Sequence, residues 1–222
     1  YGTAQDGANS WPHRQDLVCA VVQDHAPDIV GLQEALKFQI DDIMENVPGY
    51  AMLGVGRDDG DTLGEYSAIL YRPDRFTVKQ SDTFWFSDTP HVIASKSWGN
   101  DIVRICSWAL FLDKVTGASF YFYNLHLDHR SQISRVKSTE LLAKTVAAQV
   151  KGLPFILTGD FNAGEDNQAI TFLTDPRPPE ALRAVMPVID SFRLLHPQAE
   201  EVGTFNGFDG VKSGDKIDYI FV

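Results

Sequence analysis

Phe155-Ile156-Leu157-Thr158-Gly159-Asp160-Phe161-Asn162 is the stretch on which the reading of the fold turns. An apolar run that stops at a glycine and then offers an acid, an aromatic and an amide reads as the C-terminal end of a buried strand opening into a loop. Layered α/β proteins gather their chemistry at such ends. Asp160 and Asn162 are two apart, so on extended backbone both leave one face while Phe161 turns into the core. A carboxylate beside an amide can grip a water or a phosphate oxygen. An ordinary Asx turn would carry the same residues, so the surrounding chain has to decide.

Immediately upstream, Ser131 to Lys151 is the longest helical candidate, ended by Gly152-Leu153-Pro154. Before it, the runs Val103–Leu112 and Ser119–Leu125 flank Asp113–Gly117 and predict a β-hairpin. Ala51–Gly56 and Glu65–Arg72 read as two further strands, and Thr83–Phe86 as a shorter aromatic one. Near the start, Ser10 can cap a helix that tolerates Pro12, carries Leu17, Val18, Val21 and Val22 on one stripe, and ends before Pro27. Asp28–Gln33 has little alternation, the pattern of a strand buried on both faces, and Glu34 stands at its end. Leu36, Ile40, Ile43 and Met44 mark a second amphipathic helix stopped by Pro48-Gly49, and Lys216–Val222 is a last strand. Strands and helices mix without strict βαβ alternation, which favours two facing sheets with helices outside.

With 222 residues, 44% hydrophobic and including fourteen Phe and four Trp, the chain can bury a large core, and no linker composition divides it, so residues 1–222 are expected to form a single domain. Nineteen Lys and Arg against thirty Asp and Glu give a formal charge of −11, which argues against strong non-specific duplex binding. Metal ions in an acidic cleft reverse the local sign, so phosphate substrates stay open. Cys19 and Cys106 make no disulfide framework and read as core residues. No signal peptide or membrane span is evident; the expected protein is soluble, cytoplasmic or exported after loss of a leader.

Acids, amides and histidines recur at strand ends: Glu34, His126 with Asp128 and His129, Asp160 with Asn162, and Asp218. Each alone admits a structural reading as a solvated cap, a rim histidine or an edge-strand carboxylate. Their recurrence does not follow from that reading. Oxygen-rich ligands without thiolates suit Mg²⁺ or Mn²⁺, and an Asp beside an Asn can position a water, so phosphoester hydrolysis fits best. Arg104 and Lys96 are the cationic candidates for phosphate contact. Trp85, Trp98 and Phe208 could stack a base or a sugar, but aromatic runs in strands more often serve the core.

Pro27-Asp-Ile-Val-Gly-Leu-Gln-Glu34, Asn124-Leu-His-Leu-Asp128, Thr158-Gly-Asp-Phe-Asn162 and Lys216-Ile-Asp-Tyr-Ile-Phe-Val222 resemble, in order and separation, the successive motifs of the endonuclease/exonuclease/phosphatase (DNase I-like) family. The resemblance spans essentially the whole chain. It implies a four-layer α/β/β/α sandwich, with two mixed, mainly antiparallel sheets between helices, and cleavage of a phosphoester with Mg²⁺ or Mn²⁺. It implies Glu34 as metal ligand, Asp160 and Asn162 as the pair orienting water and phosphate, His126 and Asp218 as catalytic groups, and Glu65 as support for His126. A Glu65–His126 pair would hold the imidazole and raise its pKa. Arg104 would join Asn162 in binding substrate.

Family members begin with an Asn-bearing strand before a turn like Tyr1-Gly2 and continue to a Ser-Asp-His motif, so the chain is expected to be a core lacking both. One missing proton-transfer group costs roughly 10²–10⁴-fold in rate. The expected substrate is a phosphorylated small molecule or a single-stranded nucleic acid. A nuclease within the same fold, and a catalytically inactive binding module, are the rival readings. The retained carboxylates speak against the second, because a dead site has no need of an expensive cluster of like charges.

Overall fold

A computed structural model describes residues 6–222; the Tyr1-Gly2 turn lies outside the described residues. A short 3-10 turn at Gly7–Asn9 leads into α1 (Trp11–His25), followed by β1 (Ile29–Ala35), α2 (Lys37–Asn46), β2 (Ala51–Leu53) and β3 (Tyr66–Tyr71). Next come β4 (Phe76–Trp85), β5 (Ile105–Asp113), β6 (Ser119–His126), α3 (Gln132–Val150) and β7 (Phe155–Asp160). The described chain closes with α4 (Gln168–Leu173), α5 (Ser191–Leu195) and β8 (Asp218–Phe221).

The strands form two sheets, ordered β1-β3-β2 and β4-β5-β6-β7-β8. The first is antiparallel throughout, and in the second only the β6–β7 pair is parallel. Among the described residues the sheets are mainly antiparallel, as expected. Three apolar clusters fill three interfaces. Trp11, Val22, Ile40, Ile43 and Leu70 pack α1 and α2 on the three-stranded sheet. Ile69, Ala109, Phe111 and Phe122 join the sheets, and Leu142, Val146, Tyr123 and Leu157 pack α3 on the other side. The molecule is an α/β sandwich, layered helix, sheet, sheet, helix. Both cysteines are buried and free. Among the described residues no helix is long and apolar enough to cross a membrane.

Three local expectations need correction. On α1, Leu17 and Val21 are exposed and the buried face is Trp11, Cys19 and Val22. The indole of Trp11 donates to Asp42 Oδ2 of α2 at 2.7 Å, and this long-range bond, absent from any periodicity, sets the rotation of the helix. β1 is only half-buried along most of its length, because it is an edge strand with β3 on one side. β4 runs for ten residues where only its end, from Thr83, was legible; it too is an edge strand, Gln80–Asp82 are solvent-facing, and a bulge between Val78 and Gln80 breaks its alternation.

Candidate active site

Antiparallel neighbours begin where their partners end, so strand starts and strand ends meet at one end of the sandwich. β6 ends at His126 and β7 at Asp160, which are register partners, and β8 begins at Asp218, the partner of Asp160. Arg104 precedes β5 and Glu65 precedes β3. Glu34 lies near the end of β1 at a bulge between Leu32 and Ala35, with φ of 62°. That left-handed conformation is costly for a glutamate and turns its side chain off the regular pleat.

Past β7, Phe161 is fully buried and Asn162 sits at φ 47°. The amide of Asn162 donates to the Leu127 carbonyl at 2.9 Å, and its backbone N–H donates to Asp160 Oδ1 at 2.8 Å. Gly159 makes this ending possible: at φ 150°, a Cβ there would stand 2.2 Å from the Leu125 carbonyl oxygen.

The ligand atoms of Glu34, Glu65 and His126 all lie within 4.8 Å of one another, and His126 Nε2 is 3.5 Å from Asp160 Oδ2. Two guanidiniums accompany these groups, that of Arg104 buried and that of Arg57 half-buried. Arg57 pairs with Glu65, and Arg104 Nη1 lies 2.9 Å from Nδ1 and 3.0 Å from Nε2 of His126. An arginine can only donate, so the imidazole accepts and is neutral. Burial first, then the charges of Arg104 and Arg57, holds the His126 pKa well below its ordinary value. This corrects the expectation that Glu65 raises it: Glu65 is adjacent but is engaged by Arg57. Burial, then the neighbouring Asp218 charge, pushes the Asp160 carboxyl up to about 7.

The remaining candidates separate. Asp128 is buried, but it accepts from the backbone N–H groups of Arg130 and Ser131 and lies 3.9 Å from Arg104 Nε, so it turns the chain into α3. His129 is exposed at Arg104 Nη2, 3.0 Å away. Lys96 is exposed and donates to the Asp101 carbonyl. Trp85 is buried and donates to the Arg57 carbonyl, Trp98 donates to Asp88, and Phe208 lies under Arg14. Sequence reasoning missed Arg57, whose only signal was a cation inside the acidic turn Arg57–Gly64. A cavity of about 700 Å³ runs along β1 and β8; Ile29, Phe122, Ile156 and Ile220 make its apolar wall, and Asp218, Lys212 and Lys216 are among its polar lining residues.

The carboxylates of Glu34 and Glu65 and the imidazole of His126 are a donor set that can hold a divalent metal ion. Half-buried Asp160 and exposed Asp218, register partners across β7 and β8, are like charges whose repulsion a cation would offset.

The model of the Endonuclease/Exonuclease/phosphatase family matches residues 4–222. The uncharacterized protein L388 of Acanthamoeba polyphaga mimivirus is 32% identical over 163 residues, covering 70% of this chain; the chain spans 60% of the length of that relative. The solved structure of an endonuclease/exonuclease/phosphatase from Bacteroides vulgatus superposes with a TM-score of 0.85 at 34% identity, over 100% of this chain and 82% of the other. The mannosyl-6-phosphatase of Bacteroides thetaiotaomicron superposes with a TM-score of 0.86 at 38% identity, over 99% of this chain and 80% of the other. With four ordered motifs, an α/β sandwich and a match across nearly its full length, the chain belongs to the endonuclease/exonuclease/phosphatase family.

Proposed function

We propose that the protein is a divalent-cation-dependent phosphoesterase that hydrolyses a phosphomonoester of a small, sugar-like molecule. The observation that carries this reading is the convergence of Glu34, Glu65 and His126 within 4.8 Å, next to Asp160. Glu34, with Glu65 and His126 beside it, would hold Mg²⁺ or Mn²⁺, which when bound neutralises phosphate charge and stabilises a leaving oxygen.

The protein's own groups do the rest. Asp160, with a carboxyl pKa of about 7, is poised to take a proton from the attacking water near neutral pH. Asn162, its amide fixed by the Leu127 carbonyl, orients the phosphate. Arg104, 4% exposed, offers its guanidinium to developing negative charge in a site where few waters compete. Asp218 keeps Asp160 basic by its charge. Neutral His126 has one lone pair, which accepts from Arg104 in the ion-free protein and would pass to the cation on binding, releasing the guanidinium toward the phosphate.

A small substrate is favoured over duplex nucleic acid by the formal charge of −11 and by the likeness to the mannosyl-6-phosphatase. Release of phosphate from hexose phosphates, compared with cleavage of single-stranded oligonucleotides and plasmid, tests the reading with Mg²⁺ in wild type and in Asp160→Asn. Phosphate release from sugar phosphates that Asp160→Asn abolishes is expected. Oligonucleotide cleavage alone would make it a nuclease, and no turnover with retained ligand binding would make it a binding module.

A further inference from the structure

The interface between the two sheets is built from Ile69, Phe76, Ala109, Phe111 and Phe122, yet it contains the side-chain amide of Asn124, which is 0% exposed. Both hydrogens of its Nδ2 are used: it donates to the Leu32 carbonyl of β1 and the Ala68 carbonyl of β3, each at 2.9 Å. Its Oδ1 accepts from Gln33 Nε2 at 2.6 Å and from Thr158 Oγ1 at 3.0 Å. A buried amide is costly unless satisfied, and one satisfied on all sides admits a single arrangement of its surroundings. Here those surroundings are three strands drawn from both sheets, β1, β3 and β7, with Asn124 itself on β6.

The partners flank the candidate site. Leu32 and Gln33 immediately precede Glu34, Ala68 follows Glu65 by three residues, Thr158 precedes Asp160 by two, and Asn124 precedes His126 by two. The bulge interrupts the β1–β3 ladder just after Leu32, and the carbonyl that the Asn124 amide takes is the one at the start of that gap. β1 approaches closely at the same place: a Cβ on Gly31 would stand 2.6 Å from Asn124 Oδ1 and 2.8 Å from Thr158 Oγ1. Apolar contacts alone tolerate sliding of one sheet over the other, whereas the three directional bonds that cross between the sheets do not.

We infer that Asn124 is a positioning residue that fixes the distance between the acids of the three-stranded sheet and the His126–Asp160 pair of the five-stranded sheet. The inference rests on the cation-dependent reading above. Its consequence lies in cation affinity: loss of the amide frees Glu34 to move relative to His126, and second-layer changes of this kind weaken metal binding roughly 10- to 100-fold.

The test is calorimetric titration of Mn²⁺ into the full chain as wild type, Asn124→Leu, Gly31→Ala, Thr158→Val and Thr158→Ser, with folding checked by circular dichroism. Asn124→Leu and Gly31→Ala should bind Mn²⁺ at least tenfold more weakly. Thr158→Val should weaken it less, and Thr158→Ser, which keeps the hydroxyl, should restore it. Folded Asn124→Leu with wild-type Mn²⁺ affinity and only a lowered melting temperature would reduce Asn124 to a packing role. Should Asn124→Leu not fold, unchanged affinity in both Gly31→Ala and Thr158→Val overturns the inference. Wild type that binds no Mn²⁺ overturns the functional reading itself, and the inference with it.

Discussion

The three-stranded sheet delivers Glu34 from a bulge and Glu65 from the residue before β3, whereas the five-stranded sheet delivers His126, Asp160 and Asp218 as neighbours across a continuous ladder. The first contribution depends on a local irregularity, an Arg57 ion pair and an inter-sheet amide. The second follows from strand register alone. The difference teaches that one half of the site is a product of secondary structure and the other of tertiary packing, so the two halves should fail differently when perturbed.

The largest effect is expected on the ladder side. Asp160→Ala should lower turnover by about 10²–10⁴-fold while leaving the melting temperature near or above wild type, because it removes a desolvated acid beside Asp218. Steady-state kinetics with thermal melts checks this, and a variant that keeps its rate would remove Asp160 from the chemistry.

On the packed side the cost should appear as stability. Arg57→Met strands the buried Glu65 carboxylate without its counter-charge and should destabilise by about 3 kcal/mol in denaturant unfolding. A change under about 0.5 kcal/mol would mean the pair is dispensable. Gly159→Ala probes the ladder itself: its Cβ would meet the Leu125 carbonyl oxygen, a backbone atom that cannot rotate away, so a loss of about 2 kcal/mol is expected. Gly31→Ala meets side-chain atoms of Asn124 and Thr158 and should cost less in stability than Gly159→Ala. The reverse order would contradict the rigid-ladder picture.

A separate effect is a pH slope. The folded-state pKa of Asp160, about 7, stands above that of the unfolded chain, so its stabilising contribution is complete below about pH 4 and is lost as pH rises through 7. Ion-free wild type should therefore lose stability between those values relative to Asp160→Asn. Parallel melting curves across that range would show that burial does not raise the Asp160 pKa.

The same division governs what the sequence could reveal. The run closed by Gly-Asp marked the end of β7, and the run from Val103 placed the start of β5 two residues early, so the positions of Asp160 and Arg104 close to strand termini were legible in the chain. The bulge that turns Glu34 was not legible, because it depends on how β1 meets β3 and on the Asn124 amide beneath it. The engagement of Glu65 by Arg57 was likewise out of reach, and assigning Glu65 to His126 gave the wrong sign for the histidine's pKa. The buried face of α1 was misread because an indole–carboxylate bond between helices, rather than its apolar residues, sets its rotation.

The most direct test takes one residue from each sheet. Mn²⁺ should bind wild type saturably in calorimetric titration, and both Glu34→Ala and His126→Ala should abolish that binding while retaining the wild-type circular dichroism spectrum. Wild-type affinity in either folded variant would contradict a cation site assembled by the two sheets together.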